Sequence, residues 1–165
     1  MSIKVKNKHR LKRKKAKHII SSLEGYFQES FPIPIDTLDV GEVDGYTLYF
    51  VNKKPLLMAY KETVLFTIQG LLVYQPKHRS VQVDMGAVRF VTNGADVMAP
   101  GIVAADPAIS EGDFVWICDE NHKKPLATGI ALMSGEEMVQ ASKGKSVRII
   151  HHIGDILWNS LQDSS

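Results

Sequence analysis

The stretch Val83-Asp-Met-Gly-Ala-Val-Arg-Phe-Val-Thr-Asn-Gly-Ala-Asp-Val-Met-Ala-Pro-Gly-Ile102 holds a helix, a turn, a strand and a second turn in succession. Asp84 is a candidate N-cap, because its side chain can accept one of the backbone N–H groups that a first helical turn leaves unpaired. Ala87, Val88 and Val91 follow at roughly helical spacing. Asn93-Gly94-Ala95 then reverses the chain into the strand-like Val97-Met98-Ala99, which stops at Pro100-Gly101. Any tight reversal asks for such glycines, since glycine reaches positive φ without a Cβ clash. The turns alone therefore carry no function. Small residues at both turns also let another backbone approach closely.

Toward the C-terminus, residues 81–83, 97–99, 102–104, 114–118, 125–133 and 146–150 read as short strands. Ser110-Glu-Gly-Asp113, Asp119-Glu-Asn-His-Lys-Lys124 and Ser142-Lys-Gly-Lys145 separate them with turn chemistry. Six short strands with one helix near the start predict a small, mostly β, barrel-like domain. The one cysteine, Cys118, sits in the strand-like run after Phe114 and has no internal partner for a disulfide and no companions for a thiolate zinc cage.

Toward the N-terminus, Gln75-Pro-Lys-His-Arg79 is polar and contains proline, which places a domain boundary there. Ahead of it, residues 46–51, 56–60 and 64–68 form a predicted meander of strands. Ala16, Ile19, Ile20, Leu23 and Phe27 recur at three- and four-residue steps and predict an amphipathic helix, broken by Phe31-Pro-Ile-Pro34. The fold class is therefore α+β. A basic leader and small N-terminal α+β domain span residues 1–76, a mostly β pseudo-barrel spans 77–158, and 159–165 form a C-terminal tail.

The formal net charge of +2 conceals an asymmetry. Nine Lys and Arg residues precede the first acid, Glu24, which leaves 11 basic against 18 acidic groups, a net −7, in the rest of the chain. Such a leader binds phosphates through counterion release; the other reading is a solvated segment that aids solubility. No apolar run reaches the roughly 20 residues needed to span a bilayer, so no membrane association is expected and a cytoplasmic location is.

Over roughly residues 81–158 the chain resembles a PUA domain, the RNA-binding module of pseudouridine synthases and archaeosine transglycosylases. The matching motifs are Val83-Asp-Met-Gly-Ala87, Asn93-Gly-Ala-Asp-Val-Met-Ala-Pro-Gly101, Glu111-Gly-Asp-Phe-Val115, Ala127-Thr-Gly-Ile130 and Ser134-Gly-Glu-Glu-Met138. Lys143-Gly-Lys-Ser-Val147 and Ile149-Ile-His-His-Ile-Gly-Asp-Ile-Leu-Trp158 close the domain. The His-x-x-x-Asp-x-x-Trp ending is similar to that of the malignant T-cell amplified sequence proteins and the N-terminal part of ligatin. In that family an α+β domain precedes the PUA domain, the order seen here.

The resemblance implies a noncatalytic RNA-binding protein of translation, acting with the small ribosomal subunit in initiation or recycling. Its RNA would be ribosomal RNA, the acceptor end of tRNA, or both. The initiation-factor-like domain of ligatin has no counterpart in the sequence, so a separate initiation-factor-like protein chain is an expected partner. Asn93, Gly94, Ala95 and Gly101 would allow close approach of RNA. Arg89, Lys145 and Arg148 would pair with phosphate, Met98 and Pro100 would cover an unstacked base, and His151 would stack or hydrogen-bond. Lys12, Arg13, Lys14 and Lys15 would grip ribosomal RNA. Each has a structural reading beside the functional one: Met98 can fill core, and His151 or His152 can be a core or surface histidine.

Enzyme chemistry finds little support. Lys143-Gly-Lys-Ser146 resembles the end of a phosphate-binding P-loop, but Val139 stands where its first glycine belongs, and a strand follows instead of a helix. Adjacent His151 and His152 point to opposite faces of a strand and make a poor chelating pair, so no metal or other cofactor is expected. Asp36, Asp39, Glu42 and Asp44 lie among glycines and read as turn and surface residues. No Gly-x-Ser-x-Gly elbow occurs. The alternatives are a ribosome-assembly factor, an RNA-recruiting subunit of a separate RNA-modifying enzyme, and a protein-interaction module.

Overall fold

The spacing of apolar residues after the basic leader becomes α1 (Arg13–Phe27) in the computed structural model, which describes residues 4–162. Ala16, Ile19, Ile20, Leu23 and Phe27 are all buried on one side of that helix. Gln28 ends it in the left-handed region at φ 55°, its N–H donating to the Glu24 carbonyl, so the helix stops before Pro32 is reached.

Five antiparallel strands accompany α1 in the meander order β1 (Lys6–Arg10), β2 (Leu38–Val43), β3 (Tyr46–Val51), β4 (Lys54–Tyr60) and β5 (Thr63–Phe66). The first two were not predicted. Every side chain of β1 is exposed, and β2 carries Asp39, Gly41 and Glu42, so neither shows a full apolar alternation. At the edge of the sheet, the positive charges of β1 discourage pairing with another chain's strand. β1 bulges between Lys6 and His9, and a Cβ on Gly41 would come 2.5 Å from Val5 Cγ1.

The strand predicted at 64–68 ends at Phe66, because Thr67 starts a helix instead. Its Oγ1 accepts from Gly70 N (3.1 Å) and donates to the Pro55 carbonyl (2.8 Å), capping α2 (Ile68–Tyr74). Phe66 is fully buried, with ring centroids of Phe27, Phe31 and Tyr74 at 5.2, 5.0 and 5.4 Å. The expected tail from residue 159 and the expected extension of the second domain to 158 are both corrected by α5 (Ile156–Gln162). Leu157 and Leu161, one turn apart, are buried in the first unit, and Gln69 Nε2 donates to the Leu161 carbonyl at 3.0 Å. Residues 1–3 of the expected leader and 163–165 of the expected tail lie outside the described residues.

The second unit comprises Lys77–Asp155. It contains β6 (Ser80–Val83), α3 (Met85–Thr92), β7 (Val97–Met98), a 3-10 turn (Ala99–Gly101), β8 (Ile102–Ala105), β9 (Phe114–Asp119), β10 (Pro125–Ala131), α4 (Gly135–Gln140) and β11 (Lys145–His152). The sheet order is β7-β11-β10-β9-β6-β8, with β6 and β9 parallel and the other pairs antiparallel. A flat sheet of six strands would hold its edges about 24 Å apart. The edges here are β7 and β8, joined only by Ala99–Gly101. That link reaches at most about 14 Å even when extended. The sheet must therefore curl into a near-barrel, around a core that includes Val81, Val83, Val91, Ile117, Ala127, Met138 and Val147.

Cys118 is buried on β9, and burial, reinforced by the negative charge of Asp119 and only partly offset by Lys123, pushes its thiol up to about 12. The thiolate, not the thiol, is the nucleophile. Iodoacetamide at neutral pH should therefore leave the folded chain unlabelled and modify Cys118 once urea unfolds it, read by intact mass. Rapid labelling of the native protein would contradict this burial.

Candidate nucleic-acid interface

α3 begins where the Asp84 side chain accepts from Ala87 N at 2.8 Å, while Asp84 N donates to the Gly101 carbonyl at 2.9 Å. The helix start is thereby tied to the end of the 3-10 turn. Its other end is closed by Asn93 N on the Arg89 carbonyl (3.1 Å), Gly94 N on Val91 (3.0 Å) and Ala95 N on Phe90 (2.9 Å). Gly94 has φ 89°, and a Cβ there would stand 2.9 Å from His152 Nε2. The left-handed backbone favours glycine at this position, and any side chain there would also displace the His152 ring.

Between α3 and the β7 segment lies a cavity of about 470 Å³. Ala87, Phe90 and Val91 form one wall, Val97 and Met98 another, and Pro100 and Gly101 the end. Gly86 and Ala87 supply almost no side chain, which leaves the recess open. Phe90 is 55% exposed and Met98 46%, so two large apolar side chains face solvent at its edge. Arg89 is exposed, with its guanidinium 5.2 Å from the Phe90 ring centre, a cation–π distance. Lys145 sits opposite Met98 across the β11–β7 pair, its Nζ 3.5 Å from Asp96 Oδ2.

Of the residues singled out in the sequence, Ala95, Met98, Pro100 and Gly101 line this cavity. Met98 is exposed and does not fill core. Asn93 and Gly94 shape the turn beside it, while Arg148 is exposed farther along β11, opposite Ile130. His151 is the correction. It is 0% exposed, with Nδ1 2.9 Å from Asp155 Oδ2, so in this structure it offers no stacking surface. Asp155 Oδ2 also accepts from His152 N at 2.9 Å, which makes the His-x-x-x-Asp spacing a brace at the end of β11. Phe90, Gly86, Asp84 and Asp96 line the cavity and were not foreseen as site residues. The usable signal was Phe90, an aromatic residue next to the arginine already singled out.

In the first unit, Lys12, Lys14 and Lys15 are exposed, together with Lys17 and His18 on the same helix. Arg13 differs from them: its guanidinium lies 2.5 Å from Asp36 Oδ1, as Arg10 lies 2.6 Å from Asp39. Its charge is locally answered by a carboxylate, although a pair this exposed contributes little stability. Among the described residues no helix is long and apolar enough to cross a membrane.

Comparison with known proteins agrees with both units. Residues 79–153 match the PUA domain, and residues 7–74 match a domain of unknown function, DUF1947. The chain is 40% identical over 159 residues to an uncharacterized protein of Methanocaldococcus jannaschii, covering 95% of this chain and 98% of that one. It is 35% identical over 130 residues to translation machinery-associated protein 20 of Saccharomyces cerevisiae, covering 75% of this chain and 67% of that one. A crystallised hypothetical protein of Pyrococcus horikoshii is 38% identical, with a TM-score of 0.81 and coverage of 92% of this chain and 98% of that one. The chain belongs to the PUA-domain family that includes translation machinery-associated protein 20 and the malignant T-cell-amplified sequence proteins.

Proposed function

We propose that this member of the family is a noncatalytic, cytoplasmic RNA-binding factor of translation that works on the small ribosomal subunit in initiation or recycling. The PUA cavity takes an unstacked nucleotide at an RNA end, the acceptor end of tRNA foremost, and the cationic face of α1 grips ribosomal RNA. A separate initiation-factor-like chain completes the working assembly.

The observation that carries this reading is the exposed apolar cavity edged by Phe90, Met98 and Pro100, with Arg89 and Lys145 near it. Single-stranded RNA is bound by splaying out its bases, covering them with aromatic and apolar surface, and pairing its phosphates with cations. Lys12, Lys14, Lys15 and Lys17 supply the sequence-independent part of the affinity. The names of relatives, translation machinery-associated protein 20 and eukaryotic translation initiation factor 2D, support translation as the setting.

The test is cosedimentation with mature small subunits across a salt series, alongside anisotropy of a 5′-labelled single-stranded RNA, using the variant Gly86→Leu. A Cβ at Gly86 meets only Asp84 Oδ1, at 3.4 Å, and leucine is the better helix former by roughly 0.8 kcal/mol. The fold is preserved while the leucine occupies the recess. Affinity for the RNA end should fall at least about tenfold, since one covered base is worth on the order of 1–3 kcal/mol. A folded Gly86→Leu protein that binds RNA like the wild type would remove the cavity from the reading.

A further inference from the structure

The charged side chains lining the cavity are both carboxylates, Asp84 and Asp96. Asp96 is committed elsewhere: Oδ1 accepts from Ile149 N at 3.1 Å, and Oδ2 lies 3.5 Å from Lys145 Nζ. Asp84 spends only one oxygen on the helix cap, Oδ1 on Ala87 N. Its Oδ2 has no hydrogen-bond partner among the described residues. A half-buried aspartate with one unpaired carboxylate oxygen thus lines a largely apolar recess.

Such an atom repels phosphate and carbonyl oxygens and accepts from N–H groups. The phosphates of a bound RNA therefore stay outside with Arg89 and Lys145, and the recess receives the base. From this we infer that the cavity reads which base it receives: it takes one with an amino group, adenine, cytosine or guanine, and rejects uracil. Uracil offers a single N–H flanked by two carbonyl oxygens, both of which the Asp84 carboxylate repels. With Oδ1 engaged in the cap, the contact is one hydrogen bond, so it separates uracil from the other three without ranking those strongly. The inference rests on the RNA reading above and adds base selection to it.

The experiment compares four 5′-labelled single-stranded RNAs that differ only in the 3′-terminal base, by anisotropy on the full chain. The uracil-ended RNA should bind about tenfold more weakly than the others, the usual scale of one base-edge contact. Asp84→Asn is the deciding variant. Asparagine caps a helix as well as aspartate does, so α3 remains, but an NH2 replaces the free oxygen. The ranking should level or turn toward uracil, whose carbonyls accept from that NH2. Losing a negative charge raises affinity for all four RNAs alike, so the ranking is the readout.

Equal binding of all four ends by the wild type overturns the inference, and so does an Asp84→Asn protein that keeps the wild-type ranking. If the four ends bind equally yet Gly86→Leu still weakens them, only base selection falls. If none of the RNAs binds at low salt, the RNA reading falls and takes base selection with it.

Discussion

Replacement of Lys14, Lys15 and Lys17 together by glutamate should lower affinity for small ribosomal subunits about 100-fold at 0.15 M salt without weakening the fold. Each phosphate contact adds a slope of about 0.7–0.9 to the dependence of affinity on salt, equivalent to about fivefold at that concentration. Three lost contacts multiply to roughly two orders of magnitude, and the reversed charges add repulsion. Stability should hold or rise, because positions 14 and 15 lie in the first turn of α1, which contains no acid. Glutamate there complements the partial positive charge of the helix N-terminus by about 0.3–1 kcal/mol per residue. A cosedimentation series would show the salt slope falling by two to three units, while the melting temperature stays level or climbs. An unchanged slope would mean that α1 does not touch the RNA backbone.

Phe66→Ala should cost the first unit about 3–5 kcal/mol, the range for removing a buried phenylalanine. Its ring contacts those of Phe27 at the end of α1, Phe31 in the following segment and Tyr74 at the end of α2. The hole cannot close simply, since three other rings frame it. A loss of that size is a large share of a small domain's total stability. Native-state hydrogen exchange should show faster exchange for amides 13–27, with core amides of β9 and β10 keeping their protection. RNA binding through α1 should fall with the helix, an indirect loss that the lysine variant does not share. A urea midpoint shift worth less than about 1 kcal/mol would show that the aromatic cluster does not seat α1.

Local periodicity and cap chemistry made much of this protein readable in its sequence. The steps from Ala16 to Phe27 recur as the buried face of α1, and Asp84 caps α3 as expected. Asn93-Gly-Ala95 forms the predicted turn, the strand run at 114–118 lies within β9, and the run predicted at 125–133 becomes β10, which ends two residues earlier at Ala131. Each of these features is decided by residues within a few positions of one another, through side-chain spacing, positive φ or an unpaired N–H.

Tertiary structure decided the rest. β1 pairs with β2 despite an entirely exposed, basic sequence, because backbone hydrogen bonds to a partner some 30 residues away form it. Arg13 meets Asp36, and His151 turns into the core toward Asp155, so two residues expected to touch RNA are engaged with carboxylates. α5 leaves the barrel's chain segment to bury Leu157 and Leu161 in the first unit. The cavity exists only because the near-barrel brings the small side chains of α3 alongside β7 and its turn, where Phe90 and Met98 remain about half exposed at its edge. Spacing along a chain records which side of an element is apolar; what that side meets, and where room is left for another molecule, depends on contacts between residues far apart in sequence.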